Sequence, residues 1–112
     1  ENLEEAEEMV RRASKLRPED GFIADSLGWV FYRTGRYAEA VAELERAIML
    51  EPVDPVINEH LGDAYWQVGR RVEARFQWQR ALTLDPDKDL VPGLEEKLRC
   101  GLERCAVARH AE

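Results

Sequence analysis

Apolar residues recur along this chain at three- and four-residue steps, the spacing that gathers them on one face of a helix. The first stripe is Leu3, Ala6, Val10, Ala13 and Leu16. It predicts a helix over 2–16 that stops before Pro18, because a proline ring disfavours helical backbone at the preceding residue, Arg17. Asp20 is placed to cap a second helix over 21–34, and Gly35 to close it in the left-handed conformation. A third helix follows over 37–50. Asp54-Pro55 reads as an N-cap followed by proline at the first helical position, where its missing amide proton costs nothing. It opens a fourth helix over 55–68, hinged at Gly69 to a fifth over 71–84. The last stripe, Val91, Leu94, Leu98, Leu102 and Cys105, predicts a helix over 90–106 with Asp89 as cap and Pro92 in the tolerant first turn.

The central windows are copies of one another. Laying residues 21–54 on 55–88 gives 11 identities in 34 positions, among them Ile23/Ile57, Leu27/Leu61, Gly28/Gly62, Arg36/Arg70, Arg46/Arg80 and Pro52/Pro86. Unrelated segments of ordinary composition would share about two or three. The register also runs backwards, since Glu5, Ala6, Arg12, Ala13, Leu16 and Pro18 match Glu39, Ala40, Arg46, Ala47, Leu50 and Pro52. Residues 1–20 are therefore expected to be the second half of a repeat, 21–54 and 55–88 two whole repeats, 89–106 a capping helix, and 107–112 a frayed tail. Together, 1–106 make one domain. Paired helices approach closely only where their contact points lack bulk, which gives Gly28, Ala40 and Ala47, and again Gly62, Ala74 and Ala81, a shared purpose. A half repeat exposes an apolar edge, because stacked units bury their faces only against neighbours. The chain is accordingly expected to be the C-terminal part of a longer protein, with any targeting signal upstream.

The order Leu27-Gly28, Phe31, Gly35, Ala40, Leu44, Ala47, Pro52, repeated as Leu61-Gly62, Tyr65, Gly69, Ala74, Trp78, Ala81, Pro86, resembles the tetratricopeptide repeat, whose period is also 34 residues. One departure is that Ala24 and Asn58 stand in the motif's early tryptophan slot. The resemblance implies an all-α, right-handed solenoid of antiparallel helix pairs closed by a C-terminal capping helix. It further implies that the first helix of each repeat lines a concave groove, presenting Phe22, Asp25, Trp29, Tyr32 and Arg33, then Val56, Glu59, Asp63, Trp66 and Gln67. A non-catalytic role in binding a protein or peptide segment in that groove is the implied function. The runs Asp25–Trp29 and His60–Trp66 resemble repeats of bacterial proteins, some cytoplasmic and many exported.

Three of the groove residues, Trp29, Tyr32 and Trp66, are large aromatics on a stripe that helix pairing does not require, and would form an anchor platform. Alanine at Trp29 or Trp66 is then expected to spare stability. The alternative is that the rings pack on one another and only narrow the groove. Asp25, Glu59 and Asp63 lie beside them, so a partner with apolar and basic side chains suits the mixture. Repeats that clamp a terminal carboxylate use Lys, Asn and Arg in these slots, and the acidic residues here disfavour that mode.

A net charge of −7 argues against general nucleic-acid binding, which needs a basic surface, and no run is apolar and long enough for a membrane span. His60 and His110 have no HExxH context, and neither a GxSxG elbow nor a glycine-rich phosphate loop occurs. No catalytic residue, metal ligand set or cofactor is expected. Cys100 and Cys105 are five residues apart, a turn of about 140° on a continuous helix, so their thiols would diverge and could not bridge. Cys105 then reads as a core residue and Cys100 as a partly exposed thiol. Two further roles fit the pattern: self-association, as a homodimer through the edge Leu3, Ala6 and Val10, or docking within a longer chain; and substrate recruitment for an enzyme domain elsewhere.

Overall fold

The computed structural model describes residues 2–103, which are helical with short connections and no strand. The elements are α1 (Leu3–Leu16), α2 (Gly21–Arg33), α3 (Tyr37–Leu50), α4 (Pro55–Gln67), α5 (Arg71–Thr83) and α6 (Val91–Cys100). Loops of a few residues force consecutive helices into antiparallel neighbours. The most extensive contacts are α2 with α3 and α4 with α5, and α4 packs in turn on α3. The result is an elongated stack, 49 × 29 × 25 Å.

The helix ends follow local chemistry. Asn2 Oδ1 accepts from the Glu4 and Glu5 amides, Asp20 Oδ1 from those of Phe22 and Ile23, and Asp54 Oδ2 from that of Ile57. Gly35 and Gly69 sit at φ 81° and 88°, the left-handed region in which a side chain is strained. The 34-residue identities acquire physical reasons. Arg36 lies 4.7 Å over the Phe31 ring, and Arg70 lies 4.4 Å over the Tyr65 ring one period later. Arg46 donates to the Pro18 carbonyl at 2.6 Å, as Arg80 does to that of Pro52 at 3.3 Å, so each second helix fastens the loop before its own pair. Asn58, fully buried where Ala24 stands in the other repeat, donates to the Pro52 and Asp54 carbonyls.

One core runs through both pairs, from Leu27, Phe31 and Leu44 through Leu61, Tyr65 and Trp78 to Leu94. The C-terminal helix departs from expectation. It spans Val91–Cys100 rather than 90–106, is preceded by a 3-10 turn at Lys88–Leu90, and receives no side-chain cap from Asp89. It stops because Gly101 turns to φ 75°. Cys100, its last residue, is disulfide-bonded rather than a partly exposed thiol. The continuous helix that would have kept its sulfur from bridging ends here, while Cys105 and the expected tail over 107–112 lie outside the described residues. The inward stripe of α1 is also less buried than its spacing predicts: no residue of α1 is fully buried, and Leu16 is 81% exposed. No described helix is long and apolar enough to cross a membrane.

Candidate functional site

Helices α2 and α4 lie side by side, one period apart, and a ladder of side chains joins them. Asp25 Oδ1 and His60 Nδ1 are 2.8 Å apart. The His60 ring stacks on Trp29 at 3.9 Å, and Trp29 stacks on Tyr32 at 4.4 Å with the planes only 5° apart. Gln67 donates to the Tyr32 hydroxyl at 3.2 Å, and Tyr37 meets the Tyr32 ring edge-on. Burial, slightly relieved by the Gln67 hydrogen bond, pushes the Tyr32 phenol above its ordinary pKa. Both bridges join residues 35 apart, one period plus one. That offset marks lateral neighbours in the stack and would have revealed the Asp25–His60 pair from the sequence.

Trp66 occupies a different environment from Trp29. It is 5% exposed, tilted against Trp78 at 5.5 Å, and carries Arg71 and Arg75 over its ring. Its Nε1 donates to Glu103 at 3.2 Å, and the bare α-carbon of Gly101 lies so close that a Cβ there would come within 2.3 Å of the indole. Gly101 and Glu103, just after α6, therefore lie against this ring, and Trp66 does not stand free beside Trp29 and Tyr32. Trp66→Ala is expected to cost about 3–5 kcal/mol in urea denaturation, against about 1 kcal/mol for Trp29→Ala in its partly buried stack.

The three carboxylates also have partners inside the chain. Asp25 is held by His60, while Lys97 of α6 reaches Glu59 at 2.6 Å and Asp63 at 3.0 and 3.1 Å. Asp63 accepts a further bond from the buried Trp78 indole at 3.0 Å. What stays open on this side is an apolar strip. Phe22, 53% exposed, and Val56, 36% exposed, occupy the same position on successive first helices. Arg33 and Gln67 are exposed at the other end of these helices. The ten expected groove residues thus divide into an open strip with its polar end, a half-buried aromatic ladder, and a buried acidic and indole group sealed by α6.

A family model described as TPR repeat matches residues 28–69. The TPR repeat-containing protein PA4667 of Pseudomonas aeruginosa is 50% identical over 36 residues, which is 32% of this chain and 6% of that protein. The chain thus spans only a small part of that relative. Among solved structures, the first TPR of Spaghetti (RPAP3), bound to the HSP90 peptide SRMEEVD, superposes with a TM-score of 0.79 at 18% identity, over 87% of this chain and 75% of that one. With its 34-residue period and its stacked antiparallel pairs, the chain has the fold of a tetratricopeptide-repeat solenoid and resembles such proteins most directly over residues 28–69.

Proposed function

We propose that this is a non-catalytic interaction module whose α2–α4 face takes a segment of a partner protein. The observation that carries the reading is the Phe22–Val56 strip: two apolar side chains left exposed at equivalent places on adjacent helices, with the rigid Trp29–Tyr32–His60 ladder beside them. Rigid aromatic surface beside an apolar strip can bury a partner's side chain at low entropic cost. The peptide bound by the structural neighbour supports a segment of similar size as the ligand class. The partner supplies apolar residues to the strip. Because Asp25, Glu59 and Asp63 are already paired, basic residues in the partner act mainly on encounter, drawn by the net charge of −7, rather than as fixed contacts.

Peptide-display selection on the immobilised chain tests this. Enriched sequences should carry a bulky apolar residue, and Phe22→Ala and Val56→Asp should each weaken them about tenfold with melting unchanged. A selection that yields nothing, or peptides indifferent to both variants, would overturn the reading.

A further inference from the structure

Tyr32 and Trp66 stand one period apart on α2 and α4, yet only Trp66 is roofed. Tyr32 stays half-buried in the ladder, whereas Trp66 is 5% exposed. Three residues that follow α6 lie on its outer side. Gly101 is flat against the indole, where an added Cβ would come within 2.3 Å of Cζ2 and 2.5 Å of Cη2. Leu102 packs against the core, and Glu103 accepts from Trp66 Nε1 at 3.2 Å. Only glycine fits on the ring at this point, so the path of the chain across Trp66 is closely set.

Cys100 opens this segment, and its sulfur is disulfide-bonded. The chain has two cysteines, Cys100 and Cys105, so within one chain the bond closes a short ring that includes Gly101, Leu102 and Glu103. Gly101 makes such a ring feasible: at φ 75° it ends the helix one residue after Cys100, where a continued helix would turn the two thiols apart. A cross-link over so few residues restricts the unfolded chain less than a long loop would, so its main effect is local. It keeps residues 101–103 from leaving the indole. Cys100 is only half-buried, which lets a small thiol reach the bond.

We propose that this ring is a redox-released strap over Trp66. Oxidised, it holds residues 101–103 on the indole; reduced, it lets them go and opens the ring flanked by Arg71 and Arg75. The step is thiol–disulfide exchange with a dithiol. One dithiol sulfur attacks the bond, the second displaces the mixed disulfide, and its two protons pass to Cys100 and Cys105, which end as thiols while the dithiol ends as a disulfide. The strap is then held only by the packing of Leu102 and one hydrogen bond from Trp66, contacts weak enough to open locally. Helices α1 to α5 contain no cysteine, so the rest of the stack does not respond. The inference does not depend on the peptide-binding reading.

Two measurements on the 112-residue chain test it. After equilibration with oxidised glutathione, mass spectrometry should find a monomer lighter by two hydrogens than the same chain in dithiothreitol. Acrylamide quenching of tryptophan fluorescence then reads the strap in a Trp29→Phe background, where Trp66 and the completely buried Trp78 remain. Dithiothreitol should raise the quenching constant about threefold while the far-UV CD spectrum stays unchanged. Cys100→Ser should match the reduced chain and ignore dithiothreitol, and Trp66→Phe should abolish the response. A chain that forms no internal bridge overturns the inference, as does a quenching constant that is the same in both states or a response that survives Trp66→Phe. Loss of helical signal on reduction overturns it too, since the bridge would then staple the whole fold rather than the strap.

Discussion

Gly62→Ala should lower stability by about 3 kcal/mol, although alanine is the better helix former by about 1 kcal/mol. A Cβ at this position would stand 2.5 Å from Trp78 Nε1, 2.6 Å from its Cδ1 and 3.0 Å from the Ala74 carbonyl. Little of that can yield. Trp78 is completely buried, its ring is rigid, and its Nε1 is committed to Asp63. Moving the indole aside sacrifices a hydrogen bond to a buried carboxylate, worth about 1.5–3 kcal/mol, in addition to the packing strain. Gly28→Ala should be milder, because the side chain it meets at 2.7 Å is Leu44, which has rotamers to move into. Gly93→Ala in α6 meets nothing within 4 Å and should stabilise by about 0.4–1 kcal/mol. Melting temperatures should then rank Gly93→Ala above the parent chain, Gly28→Ala below it, and Gly62→Ala lowest by more than about 10 °C. A Gly62→Ala chain that melts with the parent would show that the approach of α4 to α5 is not set at this contact.

The second-helix identities were legible before their partners were. Arg36/Arg70 and Arg46/Arg80 stood out only as repeated letters, yet each pair performs one task twice: a guanidinium over an aromatic ring, and a clasp on the preceding proline carbonyl. The small contacts were legible too, because Gly28 and Gly62 have a simple steric reason to recur. Position within a period, however, says nothing about what stands on the far side of a residue. Trp66 shares its place with Tyr32, one period earlier, but Tyr32 faces the α2–α4 ladder while Trp66 lies under the chain that follows α6. The repeat breaks at α6, so the pattern could not predict what covers Trp66.

The acidic residues show the same limit. Asp25, Glu59 and Asp63 were visible as a cluster of one sign, and a cluster of one sign invites a cation from outside. Here the partners come from within: the His60 ring, one period plus one residue along, and the Lys97 ammonium, which sits on the outer face in a helical reading of 90–106. The 3-10 turn at Lys88–Leu90 precedes α6, and no 34-residue copy of this segment exists to set its orientation. The actual packing of α6 points Lys97 inward.

Lys97 is where a single substitution should have the largest electrostatic effect. Lys97→Met keeps the length of the stem but leaves Asp63, 6% exposed, and Glu59 without their cation. Breaking a buried pair on one side costs about 3–5 kcal/mol, and the lower end applies because the Lys97 side chain is 22% exposed. Burial holds the Asp63 carboxyl above its ordinary pKa, and Lys97 restrains that rise. For the Lys97 ammonium, burial pulls downward but is outweighed by Asp63 and Glu59, so its pKa is raised. The signs follow from linkage. A raised acid favours folding most below the ordinary carboxylate pKa, and that contribution is lost as pH rises through the folded value. A raised base keeps its contribution until pH climbs past the ordinary lysine range. Without Lys97 the restraint on Asp63 vanishes and its pKa rises further, so the carboxyl is neutral in acid and ionises alone on the way to neutrality. The deficit of Lys97→Met in urea denaturation should accordingly be small near pH 4 and reach about 3 kcal/mol by about pH 7. Asp63→Asn added to Lys97→Met should recover much of the loss, because it removes the stranded charge while an amide oxygen can still accept from Trp78. A deficit that does not change with pH would mean that Lys97 acts through the packing of its stem rather than its charge, and that α6 is held down by Leu94, Trp66 and the Arg75 bond to the Leu98 carbonyl instead.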